Sequence, residues 1–299
     1  MGRHALKWVA LCLWMVPAWS LAQPGTDVDR DVQRAILLGK AGEFARGLEA
    51  VEVHLDEDSR HAEAWFMSGF LLKEWYKQSD NRAHRQEAMQ RLAKSLDLQS
   101  AQGRPADWLP QARRALGYLG DDCYDDAVAA VNTFQTGDEA KVLALVDQYA
   151  MAVQALKPRT DLSAERAAFH KNMAHAHATL YAATSEEVHF EGIQANYREA
   201  LALTPDDPTA WYNLAVHVYN RGVGVMQELG LETSLGEIIE KQQASRGHFS
   251  EALPAFESAL ELQPDRAEIL LGLATVHHAL HNQAERDRYH AAWKNARGR

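Results

Sequence analysis

Histidine is the side chain with which this sequence could most readily do chemistry, at 14 of 299 residues, several of them clustered. His277 and His281 stand four apart, so on a helix they would share a face and could hold a divalent metal, with His278 between them and His290 on the next segment. No carboxylate or cysteine completes a ligand set at a familiar spacing, so an aromatic-like packing role suits His277 better than metal binding. His170, His175 and His177 form a second group, in which His175 and His177 are two apart and cannot face the same way on a helix. Asp121-Asp122 and Asp125-Asp126 surround Cys123. Paired carboxylates favour a helix N-terminus, so they read as caps of a helix beginning there. A general acid–base pair would need a cleft and a partner. The sequence has no H-E-x-x-H, no C-x-x-C-H and no G-x-x-x-x-G-K-[ST], and Gly222-x-Gly224 follows a helical segment rather than a strand. No nucleophile–base pair can be assembled, so neither an enzyme nor a cofactor is expected.

The elements that would carry these residues begin after an N-terminal address. Arg3 and Lys7 precede an apolar run, Trp8–Trp19, and Ser20-Leu21-Ala22 offers small residues before Gln23. That order is a secretory signal peptide, expected to be removed after residue 22. No later apolar stretch is long enough for a bilayer, so no stable membrane insertion is expected after cleavage, and the chain is expected to be exported, periplasmic or secreted. Cys123 is then the one remaining thiol, which rules out an internal disulfide and suits a buried apolar-like side chain. At 46% hydrophobic and 24% charged, the composition is that of a folded protein and excludes disorder. The net charge of −10 argues against nucleic acid as a partner, since phosphate affinity needs clustered cations.

From residue 23 onward, apolar residues recur at helical spacing between short Gly, Pro, Asp and Ser breaks, and strand signals are nearly absent. One phrase returns: Phe249-x-x-Ala252-x-x-x-Phe256-x-x-Ala259-x-x-Leu262-x-Pro264 has the same grammar as Ile193-x-x-x-Tyr197-x-x-Ala200-x-x-Leu203-x-Pro205. Small residues let two helices approach, a ring fills the gap, and proline stops the second helix. Each proline is followed by a first-helix pattern: Trp211-x-x-Leu214-Ala215 and Leu270-x-x-Leu273-Ala274-x-x-His277. Upstream stand Trp65-x-x-x-Gly69-x-x-Leu72 and His170-x-x-Met173-Ala174-x-x-His177.

This series resembles the tetratricopeptide repeat, a helix pair of about 34 residues. The resemblance is tightest over 186–297, recognisable over 28–99, and loose over 105–158, where Tyr149, Ala152 and Pro158 keep only the second-helix half. It implies an all-α, right-handed superhelical solenoid of stacked antiparallel helix pairs, roughly twelve helices, forming a single domain over 23–299. The best repeats lie at 61–99, 162–205, 206–264 and 265–297. Between Tyr219 and Phe249 the spacing exceeds a standard repeat. Gly230 and the capping box Ser234-x-x-Glu237 place a break there, so both helices are expected to be prolonged into a hairpin over 219–250. Lys77–Arg85 and Leu180–His189 read as milder cases. An apolar set in the hairpin, Val225, Met226, Leu229, Leu231 and Ile238, would pack internally or offer a surface for self-association.

In such a solenoid the first helices line the concave face. With the register set by Trp65 and Trp211, Phe66, Phe70 and Lys73 would face that groove, as would Tyr212, Val216, Tyr219 and Asn220. The central repeat contributes Lys171 and His175, and the last contributes His278. Rings with scattered donors suit capture of a protein or peptide segment. Two functions follow from different classes: an interaction scaffold binding a partner in this groove, or a metal- or small-ligand-binding accessory protein using the histidines around His277.

Overall fold

The computed structural model describes residues 27–298 apart from 104 and 231, so the signal peptide expected over 1–22 and the hairpin's Leu231 lie outside the described residues. The described chain is helical and, among the described residues, contains no strand. Twelve helices pair in order: α1 (Asp27–Lys40) with α2 (Phe44–Glu57), α3 (Ala62–Ser79) with α4 (Arg82–Gln102), α5 (Leu109–Asn132) with α6 (Glu139–Leu156), α7 (Ser163–Thr184) with α8 (Glu187–Leu203), α9 (Pro208–Gln227) with α10 (Leu235–Leu262), and α11 (Ala267–Ala279) with α12 (Gln283–Arg297). The repeats expected at 61–99, 162–205, 206–264 and 265–297 fall on the second, fourth, fifth and sixth pairs. The chain divides into two compact units, one ending at Leu116 and the other Gly117–Arg299.

Local chemistry sets the helix ends. The Asp207 carboxylate accepts from the amides of Thr209 (2.9 Å) and Ala210 (3.0 Å), and Pro208 takes the first helical position, where no amide donor is needed. Asn81 accepts from the Ala83 amide at 3.0 Å to open α4. Helices α8 and α10 end at Leu203 and Leu262, each two residues before a proline. Asp80 and Ser185 close α3 and α7 with φ of 53° and 58°, a left-handed turn that stops the helix.

In the unit ending at Leu116, α3 supplies the largest share of the core: Phe66, Met67, Phe70, Leu71 and Leu72 are all buried, as are Met89 and Leu92 of α4. Gly69 lets α3 and α4 meet. A Cβ there would lie 3.0 Å from the Leu92 amide nitrogen and 3.1 Å from the Ala88 carbonyl. In the unit from Gly117 onward, Phe256 of α10 sits at the centre. It packs on Gly272 of α11, where an added Cβ would come within 2.4 Å of its ring. Gly222 of α9 has the same role against α10, whose Ser245 hydroxyl donates to the Gly222 carbonyl at 2.8 Å.

The long hairpin forms as expected, with α9 of 20 and α10 of 28 residues and both bonds of the Ser234–Glu237 capping box in place. Val225 is buried, and Met226, Leu229 and Ile238 are half-buried, so most of the apolar set packs within the hairpin. At its tip Leu235 is 74% exposed and Ile239 47%.

One expectation is corrected. No helix begins at Asp121–Asp126, because α5 runs unbroken through both aspartate pairs. Gly120 is there for close approach, not for a stop: a Cβ would lie 2.8 Å from that of Ala152 in α6. Cys123 is fully buried on the same seam, its Sγ 3.5 Å from Gln148 Oε1. Asp121 and Asp125 are exposed and Asp122 and Asp126 half-buried along this continuous helix.

Candidate functional site

Within the unit from Gly117 onward, the first helices α5, α7, α9 and α11 are linked in series. Tyr124 of α5 meets Phe169 of α7 edge-on at 5.4 Å. Lys171 of α7 pairs with Asp207, the residue capping α9, at 2.6 Å. Burial raises the Asp207 pKa, and the Lys171 bond and the amides of Ala210 and Thr209 overcome it, so the carboxyl stays below its ordinary value. Tyr212 of α9 lies under the guanidinium of Arg266, the residue capping α11, at 5.0 Å. A side chain one residue past the Trp position of one repeat therefore contacts the cap of the next first helix in both places.

Between α5 and α7 lies an open cleft of about 350 Å³. Its floor is apolar, with Val131, Phe134, Phe169 and Leu180, and its polar groups are Asn132, Asn172, His175 and Thr179. Val128, 38% exposed, stands at the mouth. Asn172, His175 and Thr179 lie on the exposed stripe of α7, whereas Met173, Ala174 and His177 turn inward.

Below the cleft is a buried histidine pair. His177 and His189 are each 1% exposed, with their Nδ1 atoms 3.2 Å apart. Glu139 Oε1 is 2.8 Å from His177 Nε2. Thr136 Oγ1 is 3.3 Å from His189 Nε2, and Phe134 meets the His177 ring edge-on at 5.0 Å. Burial holds the His177 pKa below its ordinary value despite the Glu139 carboxylate, with His189 acting in the same direction as burial. His217 is lowered likewise, by burial and then by His175. The His177 ring is edge-on to Phe134 and tilted against His189, so the pair bridges α7 to α8.

The groove residues read from sequence separate into three groups. His175 lines the cleft. Tyr212, Val216 and Tyr219 of α9 are half-buried, with Tyr212 edge-on to Phe256 at 5.9 Å and Tyr219 tilted on Phe249 at 5.0 Å, while Asn220 and His278 are exposed. Lys171 is engaged with Asp207. Phe66 and Phe70 are corrected: at 3% and 8% exposure they are core residues, Phe66 stacking on Trp108 at 5.0 Å. Lys73 lies over the Phe70 ring at 4.3 Å with its ammonium 2.5 Å from Glu74. The chain following α4 returns Trp108 onto α3, covering the face that was expected to stay open.

The histidine spacing is corrected as well. α11 ends at Ala279, and His281 lies beyond it with φ of 61°, so His277 and His281 share no helical face. His277 is buried and stacks on Tyr289 at 5.5 Å. Among the described residues no three His, Cys, Asp or Glu side chains are grouped to hold a metal. The sequence reading missed Val128, Asn132 and Asn172. Asn172 was within reach, since Met173 and Ala174 set the register of α7. Val128 and Asn132 were not, because α5 has no Trp-x-x-Leu phrase to fix which side faces out.

Paired antiparallel helices with recurring contacts define a helical-repeat protein. The recurrence extends to single bonds: Trp65 Nε1 donates to the Ser59 carbonyl at 2.8 Å, and Trp211 Nε1 to the Pro205 carbonyl at 2.9 Å, each six residues back. Residues 243–292, from the second half of α10 into α12, match the tetratricopeptide repeat family. The match covers that stretch of the chain, and the helix pairs before it share its all-helical architecture. No curated protein matches it in sequence. Among solved structures it is similar to the C-terminal part of a TPR repeat-containing protein from Cytophaga hutchinsonii, at 14% identity over 89% of this chain and 78% of that one, with a TM-score of 0.31. It is also similar to PilW, described as a widely conserved type IV pilus biogenesis factor, at 15% identity over 89% and 92% of the two chains, with a TM-score of 0.30. YrrB, described as a TPR protein with an unusual peptide-binding site, is 18% identical over 81% and 90%, with a TM-score of 0.25.

Proposed function

We propose that this chain is an exported, non-catalytic interaction scaffold that holds a segment of a protein partner against its first helices, with the cleft between α5 and α7 as the main seat. The observation that carries this reading is the cleft itself: an apolar floor that would take a side chain, ringed by amide, imidazole and hydroxyl groups that would meet a backbone. The half-buried Tyr212, Val216 and Tyr219 and the exposed Asn220 and His278 extend the same surface along α9 and α11. Rings that already pack on Phe256 and Phe249 are held in place before a partner arrives, which lowers the entropy cost of binding.

The test is capture from crosslinked cell envelope, comparing wild type with Val128→Arg and with Tyr212→Ala/Tyr219→Ala. Val128 is exposed enough for arginine to leave the helix intact while its side chain crowds the cleft mouth. A partner held by wild type and lost from Val128→Arg, with unchanged circular dichroism, supports the cleft. The same set of proteins on all three baits overturns it. Export is read separately: mass spectrometry of the envelope protein is expected to place its N-terminus at Gln23, and an intact Met1 in the cytoplasmic fraction would overturn that part.

A further inference from the structure

The two rims of the cleft have a polarity along their length. On α5, Asp121, Asp125, Val128 and Asn132 follow one another at helical spacing and are all exposed. On α7 the facing stripe runs Glu165, Ala168, Asn172, His175 and Thr179, again all exposed. The apolar floor lies toward the later ends of these stripes. Toward the earlier ends stands Tyr124, 37% exposed, its ring 5.1 Å from Tyr149 and 5.4 Å from Phe169. Asp121 and Glu165 flank that aromatic group closely enough that, after burial, Glu165 and then Tyr124 and Asp121 push the Tyr149 pKa up. The cations nearby are occupied, Arg166 on Asp147 and Lys171 on Asp207. Among the described residues no lysine or arginine pairs with Asp121, Asp125 or Glu165.

An apolar cleft that runs into an aromatic face ringed by unneutralised carboxylates has one complementary ligand. We propose that the segment bound here is basic as well as apolar: one apolar side chain enters the cleft between Val128 and Phe169, and a lysine or arginine lies over Tyr124 between Asp121, Asp125 and Glu165. The cation would gain from the ring face and from the carboxylates together. The spacing follows from the helix. Val128 is about 5–10 Å along the axis from Asp125 and Asp121. An extended chain covers that distance in about two or three residues. The partner should therefore carry its cation two or three positions from its apolar anchor, on the side nearer the start of α5. This inference rests on the cleft being the binding surface.

The test uses nonapeptides on a cellulose array, with one leucine or phenylalanine and one lysine moved through a Gly-Ser background, probed with the full chain. Peptides with lysine two or three residues from the anchor are expected to retain about fivefold more protein than anchor-only peptides, the worth of one exposed ion pair with a cation–ring contact. The Asp121→Asn/Asp125→Asn/Glu165→Gln variant should hold both sets equally. If wild type holds anchor-only peptides as well as the lysine-bearing ones, or if the triple variant keeps the preference, the basic-segment inference is overturned while the cleft survives. If Val128→Arg, shown folded by circular dichroism, holds the same peptides as wild type, or wild type holds none, the cleft reading fails and this inference falls with it.

Discussion

His177 shows how a single residue can be structural while looking chemical. A histidine beside a second histidine and a glutamate suggests a proton relay, but both rings are enclosed, and Gly192 is needed to make room: a Cβ there would come within 2.5 Å of the His177 ring. Its lowered pKa fixes the sign of a pH effect. The folded state resists protonation and the unfolded chain does not, so His177 costs nothing above its unfolded pKa of about 6.5. Stability is lost as pH falls from there toward the folded pKa, because the unfolded state then binds more protons. His217 adds to the same slope. Wild-type Tm should therefore fall between pH 7 and pH 5.5, and His177→Gln should flatten that dependence by up to one proton, or about 1.4 kcal/mol per pH unit. Equal slopes in chemical denaturation of the two proteins across this range would contradict the assignment.

At the scale of elements, the helix pairs are set by positions where no side chain fits. Gly69 is the clearest, since what lies opposite is backbone, the Leu92 amide and the Ala88 carbonyl, which cannot rotate away as a leucine methyl could. Gly69→Ala should force α3 and α4 apart and lower stability by about 2 kcal/mol, the usual cost of overpacking, despite alanine's better helix propensity. Thermal unfolding compared with Gly224→Ala gives the control, as a Cβ at Gly224 meets nothing within 4 Å. Gly224→Ala should be neutral or mildly stabilising.

For the molecule as a whole, the relevant property is charge. At −10 the chain attracts cations over the distance that salt allows, about 10 Å at 0.1 M ionic strength. Retention of lysine-bearing peptides should fall steeply when sodium chloride rises from about 50 mM to 300 mM, and anchor-only peptides should be nearly indifferent. The contrast between the two slopes, read on the same array, separates the carboxylate rim from the apolar floor.

The helix pairs were legible because their cause is local. Caps such as Asp207 and Ser234, stop prolines at 205 and 264, and ring positions at 3.6-residue spacing act within one or two turns, so the amino-acid order alone determined them. Cys123 was legible from its residue type, since an unpaired cysteine behaves as a small apolar side chain, even with aspartates on both sides of it in sequence. What only the tertiary structure decided is which side of each helix stays open. Phe66 matches a groove position until Trp108, some forty residues on, stacks on it, and Phe70 is buried beside Phe66. Asp121–Asp126 looks like a helix start until Gly120 meets Ala152 across the seam and α5 continues. The cleft exists because α5 and α7, separated by an entire helix, come side by side, and its rim joins carboxylates from both. Local preference chooses the element; exposure depends on which distant residue arrives to cover it, and no short-range pattern encodes that.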